Sequence, residues 1–173
     1  MKRRTFLQTS GLISTTAALK KPSLAQKKLA IEPLIIATWK NEKGTKSGWD
    51  KMMLTGRALD GVEAGAWVPE ADPNETTVGY GGLPDRDGHV TLDACIMDHL
   101  GNAGAVTFLE GIMHPISVAR AVMEKTPHVM LSGAGALQFA LEQGFKKENL
   151  LTEKSKKAWE EWKKVAKYEP KVN

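Results

Sequence analysis

A glycine-rich segment from Val78 to Gly88 constrains the fold more than any other part of this 173-residue chain. Its sequence, VGYGGLPDRDG, contains four glycines and a proline. Glycine adopts positive φ and proline fixes φ, so this composition is typical of an irregular loop with tight turns. An apolar-rich stretch follows directly and predicts a strand from about His89 to Asp98. The chain therefore needs a fold in which an irregular loop leads straight into a core strand.

Length and charge limit the class of protein. A chain of this length can form one domain with a sizeable core, but hardly two. The net charge of +4 arises at the N-terminus, because residues 1–26 contain five basic residues and no acid, which leaves −1 on the remainder. That remainder has no cluster of basic and aromatic residues of the kind that binds nucleic acid. We therefore expect no nucleic-acid partner.

Residues 1–25 are predicted to form an export signal. The segment KRRTFLQ at residues 2–8 resembles a twin-arginine motif, and the sequence SLA at residues 23–25 fits a small-x-small cleavage site. The apolar stretch between them is shorter than the roughly 20 residues that a bilayer span needs. We expect a single domain over residues 26–173, located in the periplasm or secreted, with no membrane attachment once the signal is removed. The alternative is a charged N-terminal segment with no targeting role.

The spacing of apolar residues predicts mixed α and β elements. In chain order these are a buried strand over 34–39, a polar loop over 40–47, one helix from 49 to about 71, a hairpin of strands 89–98 and 104–109, and helices from 115, over 136–143 and from 152. Small residues in the first helix, such as Gly61, suggest close packing against a sheet. The element order predicts a layered α/β fold with helices on both faces of the sheet.

The residues taken alone give no complete catalytic constellation. The segment LSGAGA at 131–136 begins like a dinucleotide-binding motif, but Gln138 stands where the third glycine would be, and the preceding residues are predicted to be helical. The four histidines lie far apart in the sequence, so no metal site is predicted. The single cysteine, Cys95, lies in an apolar strand and is predicted to be a buried, inert thiol rather than a nucleophile.

Several segments resemble the glycosylasparaginases, which belong to the N-terminal-nucleophile hydrolase superfamily. The resembling segments are residues 78–98, the dipeptide Asp72-Pro73, PISVARAVMEKTPHVML at 115–131 and GFKKENLL at 144–151. The resemblance extends from about Ile35 to Asn173. It implies the four-layer αββα sandwich of that superfamily, of which this chain would supply the α-subunit half.

The resemblance also implies a chemistry. Members of this family are precursors that cut themselves into an α and a β subunit, and the new N-terminal threonine of β is the nucleophile, with its own α-amino group as the base. They cleave the amide between N-acetylglucosamine and asparagine without a metal or organic cofactor. The threonine is expected beyond Asn173, so this chain alone is expected to be inactive. The expected partner is a β subunit in an (αβ)2 assembly.

Two positions are implied to contact the small glycosylasparagine substrate. Trp39 matches the family's tryptophan that lines the pocket for the aspartyl portion, and Thr77 matches a position usually held by serine. The structural alternatives are a core tryptophan and a threonine that caps a turn.

Two other functions stay open. An asparaginase or isoaspartyl peptidase usually has a His-Gly-Gly-Ala-Gly-like segment where this chain has residues 37–41, and the chain could also be a non-enzymatic secreted domain. An isolated α chain is expected to expose strand edges and apolar faces, and so to be insoluble or molten.

Overall fold

The computed structural model describes residues 32–166, so the predicted export signal lies outside the described residues. Backbone contacts separate residues 32 and 33 from a second unit, which begins at Leu34. The described elements of the second unit are α1 (Glu42–Thr55), α2 (Ala58–Ala71), β1 (Thr91–Met97), β2 (Ala103–Glu110), α3 (Pro115–Lys125), β3 (Met130–Ser132), α4 (Gly133–Glu142) and α5 (Glu153–Val165).

The three strands form a mixed sheet in the order β1-β2-β3. The predicted hairpin is confirmed: β1 and β2 are antiparallel, with Met97 opposite Ala103. β3 runs parallel to β2, with Leu131 beside Val106, so the prediction of helix immediately before residue 131 is wrong. α3 supplies the crossover that parallel strands require. A short apolar run such as residues 129–131 does not distinguish a strand from a buried helix.

α3 and α4 pack against one face of the sheet. A Cβ at Gly104 would overlap the backbone of α3 at Ala119, which shows how closely the strand and the helix approach each other. The largest fully buried apolar side chains lie in this layer or beside it: Val106, Leu109, Ile112, Val118 and Val122. Among the described residues the helices that contact the sheet therefore share one core, and the prediction of helices on both faces is not met.

On the opposite face of the sheet, side chains of the two outer strands are exposed, while Ala105 of β2 between them is buried. Met97 and Met130 are 66% and 58% exposed, and Cys95 is exposed as well. The predicted buried thiol is therefore wrong. Side chains alternate between the two faces along a strand, and in β1 it is Ile96 that packs into the core below α3. An apolar strand sequence indicates burial, but it does not indicate which face is covered by this part of the chain.

Residues 42–71 form two helices where the sequence predicted a polar loop followed by one helix. Asn41 begins α1, since its side-chain oxygen accepts a hydrogen bond of 3.0 Å from the Gly44 N–H. Gly56 ends α1 with a φ of 72°, a left-handed conformation that favours glycine. The chain then turns back into α2.

The small residues of this helical pair bring α1 and α2 close together. A Cβ at Gly48 would lie 2.6 Å from the carbonyl oxygen of Gly61, and a Cβ at Gly61 would lie 2.7 Å from that of Gly48. The two backbones therefore touch at these positions. Close packing was predicted correctly, but it joins two helices and not a helix to a sheet.

The segment 34–39 is not a strand in the structure. A strand needs a neighbour to satisfy its backbone hydrogen bonds, and none of the described strands pairs with it. Its large apolar side chains are exposed apart from the half-buried Ile35, with Ile36 at 79% and Trp39 at 65%. The prediction of a buried strand is wrong for the chain as described.

The C-terminal helix follows the sequence prediction closely. The Thr152 hydroxyl accepts a hydrogen bond of 3.2 Å from the Ser155 N–H and so caps α5. The Trp159 indole N–H donates to the carbonyl oxygen of Arg86, 3.1 Å away, which docks α5 on the glycine-rich segment. Trp162 remains 43% exposed. None of the helices within residues 32–166 has the length and apolar character needed to cross a membrane.

Candidate functional site

Trp39 lines a cavity of about 320 Å³ between the segment 35–39 and the helices α1 and α2. Glu70, at the end of α2, and Val78, at the start of the glycine-rich segment, line the same cavity. The Trp39 side chain is 65% exposed, so it is not a core tryptophan within the described residues. One of the two predicted substrate contacts therefore lies at a cavity large enough for a small molecule.

Thr77, the second predicted contact, precedes Val78 but is not among the residues that line this cavity. The residue is exposed. Its hydroxyl donates a hydrogen bond of 2.6 Å to Oε1 of Glu75, and its backbone N–H donates to the same oxygen at 3.0 Å. The structure thus places the two predicted residues on neighbouring segments and shows no direct contact between them.

Glu75 is an anionic acceptor at the centre of this turn. Besides Thr77 it accepts a hydrogen bond of 3.0 Å from the Thr76 N–H. The hydroxyl of Thr77, followed by its N–H, holds the pKa of the Glu75 carboxyl below its ordinary value. Sequence reasoning did not single out Glu75, because an acidic residue in a polar turn is usually solvated.

Glu70 is a buried carboxylate that the sequence also gave no reason to select. Its residue is 5% exposed, Oε2 lies 3.0 Å from Nδ1 of His114, and Oε1 accepts a hydrogen bond of 3.1 Å from the Ile116 N–H. Burial raises the pKa of Glu70 above its ordinary value. The hydrogen bonds with His114 and Ile116 lower this pKa, but burial outweighs them.

The backbone of Glu70 also holds the glycine-rich segment in place. Its carbonyl oxygen accepts a hydrogen bond of 2.7 Å from the Tyr80 N–H. Gly79 lies against the same carbonyl with a φ of 57°, and a Cβ there would overlap it. At this position the segment needs glycine both for its backbone conformation and for its close approach. Glu70 therefore links α2, the start of α3 and the loop that carries Thr77.

Several hydroxyl groups of the described residues donate to carboxylates, as Thr77 does to Glu75 and Thr107 to Asp93. Within residues 32–166 no serine or threonine hydroxyl is hydrogen-bonded to a histidine side chain, and Cys95 is the one thiol. No three His, Cys, Asp or Glu side chains in this range come together as metal ligands. That the protein uses no cofactor or metal stays a prediction. The arrangement supplies groups that can bind and orient a substrate.

Comparison with known proteins identifies the family. The model of the asparaginase family matches residues 23–173. An N(4)-(β-N-acetylglucosaminyl)-L-asparaginase from Elizabethkingia miricola is 51% identical over 99% of this chain and 52% of its own length. The enzyme of the same name from Mus musculus is 42% identical over 75% of this chain and 38% of its own length.

A second activity occurs among the relatives. An isoaspartyl peptidase/L-asparaginase from Rattus norvegicus is 41% identical over 66% of this chain and 35% of its own length. The chain thus spans about half the length of these curated relatives, or less. The family match covers most of the chain, and the glycosylasparaginase resemblance is confirmed by identity over nearly all of it. The chain belongs to the asparaginase family of the N-terminal-nucleophile hydrolase superfamily.

Proposed function

We propose that this chain is the α half of a glycosylasparaginase whose nucleophile is the N-terminal threonine of a β half. The observation that carries the proposal is the 51% identity to a bacterial enzyme of that name, over 99% of this chain but only 52% of the enzyme. The other half of such an enzyme would supply the reacting threonine.

Exposed apolar side chains of the described residues support a second layer. One face of the sheet packs on α3 and α4, while Met97 and Met130 on the other face are exposed, as is Ile36 in the apolar segment 34–39. Large exposed apolar surfaces of this kind usually mark an interface. A second sheet on this face, with helices behind it, would complete the proposed four-layer αββα sandwich and give the segment 34–39 a strand partner.

The proposed reaction divides the work between the two halves. The threonine hydroxyl attacks the side-chain amide carbonyl of glycosylasparagine while the threonine α-amino group takes its proton. Collapse of the tetrahedral intermediate releases the aminosugar and leaves an aspartyl ester on the threonine, which water then hydrolyses to aspartate. In this chain Trp39 forms a wall of the aspartyl pocket and Thr77 contributes a hydroxyl. No metal or organic cofactor takes part in this scheme.

A second candidate is an isoaspartyl peptidase or asparaginase. The rat relative with that name supports it, with 41% identity over 66% of this chain. Both candidates attack a β-aspartyl amide, so they differ in the leaving group and not in the catalytic steps. The longer match to the glycosylasparaginase from Elizabethkingia miricola favours the first candidate.

The experiment that separates the candidates is a substrate comparison with the assembled protein. N-acetylglucosaminyl-asparagine, a β-aspartyl dipeptide and free asparagine are supplied at equal concentrations, and aspartate release is followed. We expect the glycosylasparagine to give the highest kcat/KM. A higher kcat/KM for the dipeptide or for asparagine would favour the second candidate, and no hydrolysis of any of the three would favour a non-enzymatic domain.

We further propose that residues 1–25 direct export to the periplasm or beyond, and that the halves assemble as (αβ)2. Arg3 and Arg4 form the twin-arginine pair of the motif. Replacing both with lysine should leave the protein unprocessed inside the cell, as judged by fractionation. Unchanged export of this variant would argue against the signal. Sedimentation of the purified protein tests the assembly.

A further inference from the structure

A short hydrogen bond joins the Thr77 hydroxyl to the Glu75 carboxylate, and the proposed reaction gives Glu75 no role. Oε1 of Glu75 accepts from the Thr77 hydroxyl at 2.6 Å and from the N–H groups of Thr76 and Thr77 at 3.0 Å each. A distance of 2.6 Å is typical of a hydroxyl that donates to an ionised carboxylate. The two backbone N–H groups fix the carboxylate in turn, so the direction of the hydroxyl is set by the fold.

The direction of this hydrogen bond decides what the hydroxyl can recognise. A threonine hydroxyl has one proton and two lone pairs, and the Thr77 proton is given to Glu75. The hydroxyl is then left as an acceptor. The Thr77 hydroxyl and N–H also hold the pKa of Glu75 below its ordinary value, which is the direction expected when they donate to the ionised carboxylate.

The neighbouring threonine provides a comparison. Thr76 also follows Glu75 and is half-buried, yet within residues 32–166 its hydroxyl makes no hydrogen bond, and only its backbone takes part in the turn. Glu75 therefore selects the hydroxyl of Thr77 and not that of Thr76.

We propose that Glu75 is a positioning residue, which holds the Thr77 hydroxyl as a hydrogen-bond acceptor for an N–H donor in the assembled active site. The inference rests on the proposed function, because it needs Thr77 to face the reacting groups. Glu75 itself acts through Thr77 and touches neither substrate nor nucleophile. Without Glu75 the Thr77 hydroxyl would be free to rotate. Its proton would then be able to point at the N–H donor, which needs an acceptor.

A double-mutant cycle on the assembled protein tests this role. Glu75→Ala is expected to lower kcat/KM for N-acetylglucosaminyl-asparagine about tenfold in the native background. In the Thr77→Val background the same change is expected to alter kcat/KM less than about twofold, because the hydroxyl that Glu75 orients is already absent. Thr76→Val is the matched control and should keep the native kcat/KM.

Two further variants distinguish the positioning role of Glu75 from an effect on folding or assembly. Glu75→Gln keeps an oxygen that can accept from the same three donors, so it is expected to restore kcat/KM to within about threefold of the native value. If Glu75→Ala does not assemble, Glu75→Met, which keeps the length of the side chain, takes its place in the cycle. Thermal unfolding midpoints are recorded for each variant.

The outcomes separate this inference from the proposed function. If the native protein hydrolyses the amide and Thr77→Val impairs it, but Glu75→Ala does not, the positioning role alone is overturned. An equal loss from Glu75→Ala in both backgrounds overturns it too, since Glu75 would then act independently of Thr77. If the native protein hydrolyses no amide, the proposed function fails and this inference fails with it.

Discussion

The environment of Trp39 fits a role in ligand binding better than a role in packing the core. A tryptophan that is 65% exposed beside a cavity contributes little to the core of this chain, yet it offers a large apolar surface to a ligand. We expect Trp39→Ala to lower kcat/KM for glycosylasparagine at least tenfold, mainly through KM, with the thermal midpoint nearly unchanged. Steady-state kinetics and thermal unfolding of the assembled protein measure both effects.

Trp162 supplies the matched control. It is also an exposed tryptophan, at 43%, but it lies on α5 and does not line the cavity of Trp39. Trp162→Ala should keep the native KM. Equal kinetic effects of the two substitutions, or a large loss of stability from Trp39→Ala, would contradict the assignment of Trp39 to the substrate pocket.

The role of a residue was predictable from the sequence where that role depends on its neighbours along the chain. The cap at Thr152 and the helix start at Pro115 depend on neighbouring backbone groups, and both appear where the sequence places them. Cys95 and Glu70 were not predictable, because their exposure depends on what packs against them from distant parts of the chain. The resemblance supplied Trp39 and Thr77, which periodicity alone would not have selected.

At the scale of elements, an ion-pair network joins α2 to α3. The guanidinium of Arg120 on α3 lies 2.7 Å from Asp60 and 2.7 Å from Glu63, both on α2, and 3.0 Å from Glu124. The side chains of Arg120, Asp60 and Glu63 are only 13–14% exposed, so water cannot fully replace a lost partner. Removing the cation should leave two poorly solvated carboxylates between the helices.

We expect Arg120→Met to lower the free energy of unfolding by about 2–3 kcal/mol, because it breaks a partly buried network while keeping an apolar side chain of similar length. Lys46→Met is the control: its pair with Asp50 is exposed on both sides, so the loss should stay below about 0.5 kcal/mol. Urea unfolding of the assembled protein measures both. Equal losses of unfolding free energy from the two variants would mean that the network stabilises the protein no more than an exposed ion pair does.

The same network predicts a pH dependence with a definite sign. Partial burial raises the pKa of Asp60, but hydrogen bonds and charge from Arg120 outweigh it and leave the pKa below its ordinary value. A carboxyl with a lowered pKa contributes stability above its unfolded pKa and loses it as the pH falls through the folded value.

We therefore expect the stability difference between the native protein and Arg120→Met to be full above about pH 5 and to shrink below about pH 4. Unfolding midpoints across this pH range measure the difference. The Lys46→Met variant, measured in parallel, should differ little from the native protein at every pH. A difference for Arg120→Met that stays constant down to about pH 3 would contradict the role given to Asp60.

The sequence predicts a strand or helix correctly where turn residues and apolar periodicity agree. It fails where a strand needs a partner that does not lie next to it in the sequence. The hairpin β1–β2 was predictable from two apolar runs around a short turn. The segment 34–39 has the apolar composition of a buried strand, yet nothing among the described strands pairs with it. In physical terms the composition predicts what the segment prefers, while residues 32–166 supply no neighbouring strand.

At the scale of the whole molecule, Cys95 reports on the uncovered sheet face. It is exposed in this chain, and the proposed β half would cover it. We expect the Cys95 thiol of the assembled protein to react with a maleimide at least about tenfold more slowly than the same thiol after denaturation, because local opening must precede reaction. Mass spectrometry of the peptide that contains Cys95 measures the rate.

A second cysteine on an exposed surface serves as the internal control for this labelling. Glu160 on α5 is exposed, and Glu160→Cys should react quickly in the same sample. If Cys95 reacts as fast as Cys at position 160 in the native assembly, the sheet face is open to solvent. That result would contradict a β layer on this face.

The central claim is that this chain works with a second polypeptide that begins with threonine. The most direct measurement is the intact mass and N-terminal sequence of every chain in the protein purified from its source and denatured. We expect two chains, one of them carrying the sequence described above and the other beginning with threonine. A single chain with no threonine-led partner would contradict the proposed α half and its catalytic mechanism.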